Sequence, residues 1–315
     1  MGLTKGTRAK RAVKIAGLLG VVAIAASGCS KAEVIGFGWP KGVTPQADAM
    51  RELWTWSCIA ALIIGVLVWG ATIWTVIFHR KKKGDSELPR QFQYNLSLET
   101  VLTVIPVIIV AILFYFTTVT QNYILKLGKP DVRVNVTAFQ WNWDFAYPDY
   151  KTPQGQPVHT IGSSSEIPLL VLPTEKTVQY KLRSNDVIHS FFVPDFHFKR
   201  DVFPDPEKNN QHDKFQNSID QPGSFVGRCA ELCGTYHSMM NFEVRALPDN
   251  LFTQYMRLRT QNNPSTGQPY TAPEALSKMH CGKLCTPHAV TTQPFDTGRT
   301  LRAPQGVGGS RDANQ

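Results

Sequence analysis

The sequence predicts an all-β domain, a sandwich or barrel, tethered to a membrane by a two-helix hairpin. Three observations carry that prediction. Two charge-free apolar runs, Trp54–Phe78 and Val101–Val119, are each long enough to cross a bilayer as a helix. Beyond Gly128 the long runs give way to short alternating segments separated by Pro and Gly, the pattern of a sandwich or barrel. Within that second region one loop, residues 229–240, gathers two cysteines, a histidine and a methionine.

The N-terminus reads as a processing signal. Lys5, Arg8, Lys10, Arg11 and Lys14 precede the apolar stretch Ile15–Ala26, which is too short to span comfortably. Small residues then end at Cys29, resembling a lipoprotein cleavage box, although Ala26 stands where Leu is usual. Residues 1–28 are therefore expected to be a signal peptide, with Cys29 as the lipid-modified first residue. The alternative is an ordinary secretory signal in which Cys29 is incidental. Either way residues 29–53 form an extracytoplasmic lead-in.

The hairpin is expected over residues 54–121, with helices at about 54–78 and 99–120. Trp54, Trp56 and Trp74 lie near the ends of the first run, where aromatic rings favour the membrane interface. His79-Arg80-Lys81-Lys82-Lys83 follows at once and places the connecting loop in the cytoplasm. Pro106 interrupts the second run, which a membrane helix tolerates. Glu99 stands at the cytoplasmic mouth of that helix. An acid there is usually a solvated end group, and a proton-input role is the sharper reading.

The formal charge of +9 comes from the ends and this short loop. Residues 127–250 carry twelve Lys/Arg against fifteen Asp/Glu, which excludes a nucleic-acid-binding face. Strands are expected at Val132–Thr137, Phe139–Phe145, Leu169–Leu172, Thr177–Arg183 and His189–Val193. A last pair, Phe225–Cys229 and Asn241–Leu247, flanks the loop.

Cys229, Cys233, His237 and Met240, with His189 upstream, form a soft ligand set that selects copper or zinc over magnesium or calcium. A two-Cys, two-His zinc site satisfies the ligand count but leaves Met240 idle. A Cys229–Cys233 disulfide leaves three residues without a role. Two thiolates bridging two coppers use every ligand: one His on each ion, Met240 on one, and the Glu231 backbone carbonyl on the other.

Cys229-x-Glu231-x-Cys233-x-x-x-His237-x-x-Met240, with Asp186-Val-Ile-His189-Ser-Phe upstream, resembles the binuclear copper A domain of the cytochrome c oxidase subunit 2 family. The resemblance runs from Trp54 to about Pro248. It implies a cupredoxin-like Greek-key sandwich over residues 128–248 on a two-helix anchor in the cell membrane, with the copper domain on the extracytoplasmic side. It implies two copper ions that accept electrons from a soluble or membrane-bound cytochrome c. These pass to haem a of subunit 1, where oxygen is reduced to water with proton pumping in aerobic respiration.

Subunit 1, the other oxidase subunits and membrane lipid are the implied partners, with no nucleic acid. The Glu231 side chain is implied to bind a magnesium ion shared with subunit 1. Phe139-Gln-Trp141-Asn-Trp143 resembles the stretch whose first Trp receives electrons, and Asp186 matches an acid that faces the cytochrome's lysines. Glu99-Thr-Val-Leu102-Thr-Val-Ile-Pro106 resembles a proton-path mouth, with Leu102 in place of the family's Trp. Lys199 and Asp201 match a segment near the haem propionates of subunit 1, and Arg200 departs from it. Quinol-oxidase relatives lack these copper ligands. Nitrous oxide reductase is not expected to carry the hairpin, and a copper-storage or copper-delivery protein needs neither Trp141 nor Glu99.

The extension 249–315 lies beyond the resemblance and is rich in Gln, Asn, Thr, Pro and Gly. Its Cys281 and Cys285 are expected to form a disulfide, with free thiols or a metal site flanked by His280 and His288 as alternatives. It holds no Cys-x-x-Cys-His, so the chain has no motif for its own covalent haem.

Overall fold

A computed structural model describes residues 34–81, 84, 93–208 and 210–294, with Gly17 in isolation. The signal peptide and Cys29 lie outside the described residues. Two compact units are present.

The first unit holds most of two long helices, α1 (Pro45–Phe78) and α2 (Leu96–Leu125). Both are long and apolar enough to cross a membrane. Large apolar side chains such as Val66, Leu67, Trp69, Ile108 and Phe114 are exposed along them, which suits a lipid solvent rather than water. Helix α1 begins well before Trp54. Asp48, Arg51 and Glu52 belong to its first turns and interrupt the apolar run that betrays a span. Pro106 sits inside α2 without ending it.

The second unit is the β domain, with Gly42–Met50 and the chain from Thr117. Its strands are β1 (Val132–Phe139), β2 (Asn142–Lys151), β3 (Pro157–Ile161), β4 (Leu169–Pro173) and β5 (Val178–Ser184). They continue as β6 (His189–Val193), β7 (Phe198–Val202), β8 (Lys214–Asn217), β9 (Gly223–Cys229) and β10 (Asn241–Leu247). One sheet has the order β3-β2-β1-β5-β8 and the other β4-β10-β9-β6-β7. The chain crosses repeatedly between them, and β1·β5 and β4·β10 pair in parallel while the other pairs are antiparallel. This is a β-sandwich, as the strand pattern predicts, of the cupredoxin-like Greek-key kind that the resemblance implies.

The core lies between the sheets. Val132, Val134 and Val136 alternate inward from β1, and Phe145, Phe191 and Phe242 close around Trp143. Gly227 faces Phe242 across the β9·β10 pair. A Cβ there would lie 2.1 Å from the Phe242 ring, so the glycine makes room for it.

Segments outside the resemblance are built into this core. Val43 donates its N–H to Asp195 O and accepts from Asp220 N, so part of the lead-in is buried rather than exposed. In the extension, α3 (Asp249–Arg259) buries Phe252, Tyr255 and Met256, and α4 (Ala272–Met279) buries Ala275 and Leu276. Cys281 and Cys285 form a disulfide, as the sequence predicts.

Candidate metal centre

The metal-ligand types meet at one end of the sandwich because three connections converge there. His189 opens β6, Cys229 ends β9, and β10 begins directly after Met240. The Cys229 N–H donates to Met240 O at 3.0 Å, which closes the ends of the loop on each other. Ala230 N donates to Ser190 O, tying the loop to β6. Gly234 has φ +116°, a left-handed turn that favours glycine, and a Cβ there would crowd Gln140 and Trp141 at 3.2 Å.

The donor atoms converge on a pair of sulfurs. Cys229 Sγ and Cys233 Sγ are 3.8 Å apart. Around Cys229 lie His189 Nδ1 at 3.8 Å and Glu231 O at 3.3 Å. Around Cys233 lie His237 Nδ1 at 3.6 Å and Met240 Sδ at 3.9 Å. The ligand atoms of His189, Cys229 and Cys233 fall within 4.8 Å of one another, and all three side chains are buried. Two thiols, two imidazoles, a thioether and a carbonyl exceed a four-coordinate zinc set and suit soft-metal chemistry. The residues fit copper. Cys229 and Cys233 are free thiols, so the disulfide alternative does not apply to them.

The electrostatics follow from this crowding. Both sulfurs cannot ionise side by side without a cation. A hydrogen bond from Cys233 holds the Cys229 thiol low, and the same contact pushes Cys233 up. Burial pulls the His189 imidazole down, but the Asp186 carboxylate and Cys229 outweigh it, so its pKa stands above the ordinary value. Burial likewise raises the Asp186 carboxyl. Its bonds to His189, Gln140 N–H and Val187 N–H prevail, so it stands below the usual range.

Trp141 is partly exposed and lies against the loop. Its indole N–H donates to Cys233 O at 3.1 Å, and its ring meets Tyr236 edge-on at 5.0 Å. The stretch expected as one strand, Phe139–Phe145, is broken by a turn at Gln140-Trp141, which delivers the indole to the sulfur pair. The Trp143 ring is fully buried and donates to Met240 O at 3.3 Å.

Lys199 and Asp201 sit on β7, which pairs with β6. Arg200 is explained by the fold: its guanidinium donates to His212 O and Lys214 O and lies over Phe198. Glu99 belongs to the other unit. It accepts from Asn95 N–H at 2.9 Å while Asn95 accepts from Leu98 N–H, a reciprocal cap on α2.

Gln140, Trp143 and Tyr236 were not singled out as site residues by the sequence. The aromatic alternation around Trp141 holds the first two. Nothing in the loop's ligand spacing marks Tyr236, whose hydroxyl is buried without a partner among the described residues.

The family described as "Cytochrome C oxidase subunit II, periplasmic domain" matches residues 132–247. The chain is 47% identical to a probable cytochrome c oxidase subunit 2 of Nocardia farcinica, over 94% of this chain and 92% of that one. It is 44% identical to cytochrome c oxidase subunit 2 of Mycobacterium tuberculosis, over 96% and 93%. This chain belongs to the cytochrome c oxidase subunit 2 family.

Members of that family are subunits of the oxidase enzyme, and the family implies copper binding at the site just described. Two candidate membrane spans and a domain of the periplasmic class fit a membrane protein with an extracytoplasmic domain. Among solved structures, the periplasmic domain of subunit II of cytochrome oxidase of Bradyrhizobium japonicum is 27% identical. That match covers 42% of this chain and 95% of that chain, with a TM-score of 0.35.

Proposed function

We propose that this chain is the electron-input subunit of a cytochrome c oxidase. It would hold two copper ions on His189, Cys229, Glu231 O, Cys233, His237 and Met240. The observation that carries the reading is the sulfur pair at 3.8 Å with an imidazole beside each sulfur, and a carbonyl and a thioether completing the set. When bound, such a pair of coppers would supply one-electron redox chemistry, held chiefly on the Cys229 and Cys233 thiolates.

The chain's residues supply the rest. The β frame holds the ligands before metal arrives, so little reorganisation is needed. Trp143 and the closed loop exclude water from Met240. Trp141 gives an incoming electron a route through its indole N–H to the Cys233 carbonyl, and a cytochrome c is the donor. Electrons leave for haem a of subunit 1, where oxygen is reduced with proton pumping.

The Glu231 carboxylate is assigned to a magnesium ion shared with subunit 1. Lys199 and Asp201 are assigned to the haem propionates of subunit 1, and Asp186 to the docking face. Glu99 is assigned to the mouth of a proton path in addition to its capping bond. Helices α1 and α2 form the anchor in the cell membrane, preceded by a signal peptide and lipid-modified Cys29.

Rapid mixing of the intact oxidase with reduced cytochrome c tests the reading. The copper signal is expected to bleach before haem a is reduced. Haem reduction with no change at copper contradicts it.

A further inference from the structure

Asp186 carries a family expectation of facing a partner, yet its carboxylate is turned into the protein. Its side chain is 21% exposed, and each oxygen is engaged. Oδ1 lies 2.8 Å from His189 Nε2 and accepts from Val187 N–H at 2.7 Å. Oδ2 accepts from Gln140 N–H at 2.6 Å. The Ser184 hydroxyl accepts from Asp186 N–H at 3.1 Å, fixing the turn that carries the carboxylate.

An ionised carboxylate only accepts hydrogen bonds, so the proton of the His189 ring resides on Nε2. In the neutral imidazole Nδ1 then keeps its lone pair. Nδ1 is the atom that faces Cys229 Sγ, 3.8 Å away. The ring is completely buried, so no water competes for either nitrogen. Gln140 continues the network, its side-chain amide donating to Cys233 O at 2.7 Å. A single hydrogen-bonded bracket thus runs His189–Asp186–Gln140–Cys233 and joins the two ligand-bearing segments.

We propose that Asp186 is a positioning residue for the metal centre: it fixes the His189 tautomer and ring orientation. The proposal rests on the copper reading above and deepens it. A ligand imidazole held by a carboxylate on its far nitrogen is a strong and well-oriented donor. Loss of such a partner lowers metal affinity by about 10–100-fold.

Asp186→Asn separates hydrogen bonding from charge. The asparagine carbonyl oxygen can still accept from His189 Nε2–H, while its amide faces the Gln140 N–H donor and loses that bond. Asp186→Ala loses both. The intact oxidase carrying each variant is assayed for copper retention under chelator competition, for its copper spectrum, and for the salt dependence of reduction by cytochrome c. Asp186→Ala is expected to lower copper retention by about 10–100-fold and to alter the spectrum, with Asp186→Asn much closer to the parent.

Wild-type copper retention and spectra in both variants, with only the salt dependence changed, overturn the proposal in favour of a docking charge. Equal loss in both variants also overturns it, since the His189 bond that asparagine keeps would then not be what holds the copper. Pulsed EPR on the unaltered oxidase with labelled histidine is independent of variant folding. It is expected to show His189 bound through Nδ1, and binding through Nε2 overturns the proposal. A parent enzyme without a dicopper spectrum sinks the underlying copper reading instead.

Discussion

Strand β10 separates two buried polar clusters that do opposite things. At its start the candidate metal ligands crowd together, with Cys229, Cys233, His189, His237 and Met240 finding close neighbours in one another. Further along, Glu243 and Arg245 are fully buried as an ion pair, and nearly every polar atom has a protein partner. Arg245 donates to Glu243 and to the carbonyls of Leu284, Thr286 and His288. The other Glu243 oxygen accepts from Val290 N–H, Thr291 N–H and the Thr291 hydroxyl. The second cluster is complete without a ligand and clamps the extension to the sandwich. The first consists of soft donors that a cation would complete under the proposed reading. The kind of partner therefore distinguishes the two clusters: charged and carbonyl groups matched by complementary donors and acceptors in the structural one, soft donors facing mainly one another in the proposed metal site.

Substitutions should separate the two clusters. The largest effect is expected for Cys229→Ser, which should abolish the binuclear signal while costing the metal-free fold only about 1 kcal/mol. An unchanged signal in optical and EPR spectra would contradict a thiolate bridge. Arg245→Met should do the reverse. It strands a buried carboxylate and should cost about 3–5 kcal/mol in thermal or denaturant melts, with an unchanged copper spectrum below the transition.

Gly227→Ala lies between the clusters on β9 and forces a methyl group against Phe242. Overpacking of that kind should cost about 1–3 kcal/mol, read as a shifted denaturant midpoint. Trp141→Phe is the mildest for the fold. It removes one hydrogen bond to Cys233 O, a net loss of about 0.5–1.5 kcal/mol. It should slow electron input in rapid-mixing experiments with copper content unchanged, and an unchanged rate would return Trp141 to a packing role.

The site was legible in the sequence because metal chemistry restricts residue types. Two Cys, a His and a Met at loop spacing, with a second His upstream, suit little besides a soft metal, and all five meet in the structure. The central strands were legible from their apolar alternation. β3, β7 and β8 were not. Each sits at a sheet edge and carries polar residues, as in Phe198-Lys-Arg-Asp-Val202 and Lys214-Phe-Gln-Asn217, so the period-two signal is weak.

Asn241–Leu247 is the strand expected after the loop, and all seven of its residues are buried, because the extension covers the face that Glu243 and Arg245 present. That long-range partnership leaves no local trace. The extension's helices did leave one. Phe252, Tyr255, Met256 and Arg259 recur at helical spacing in α3, and Thr271 with Glu274 forms a capping box at the start of α4. The bulk Gln, Asn, Thr and Pro content of the tail masked both.

The central claim is that this chain holds a thiolate-bridged pair of coppers at residues 189 and 229–240. Copper stoichiometry together with the optical and EPR spectra of the copper-replete chain tests it most directly. Two coppers per chain and a purple mixed-valence spectrum, with one unpaired electron shared over both ions, are the predicted result. A colourless protein, or a single-copper spectrum at full loading, would contradict it.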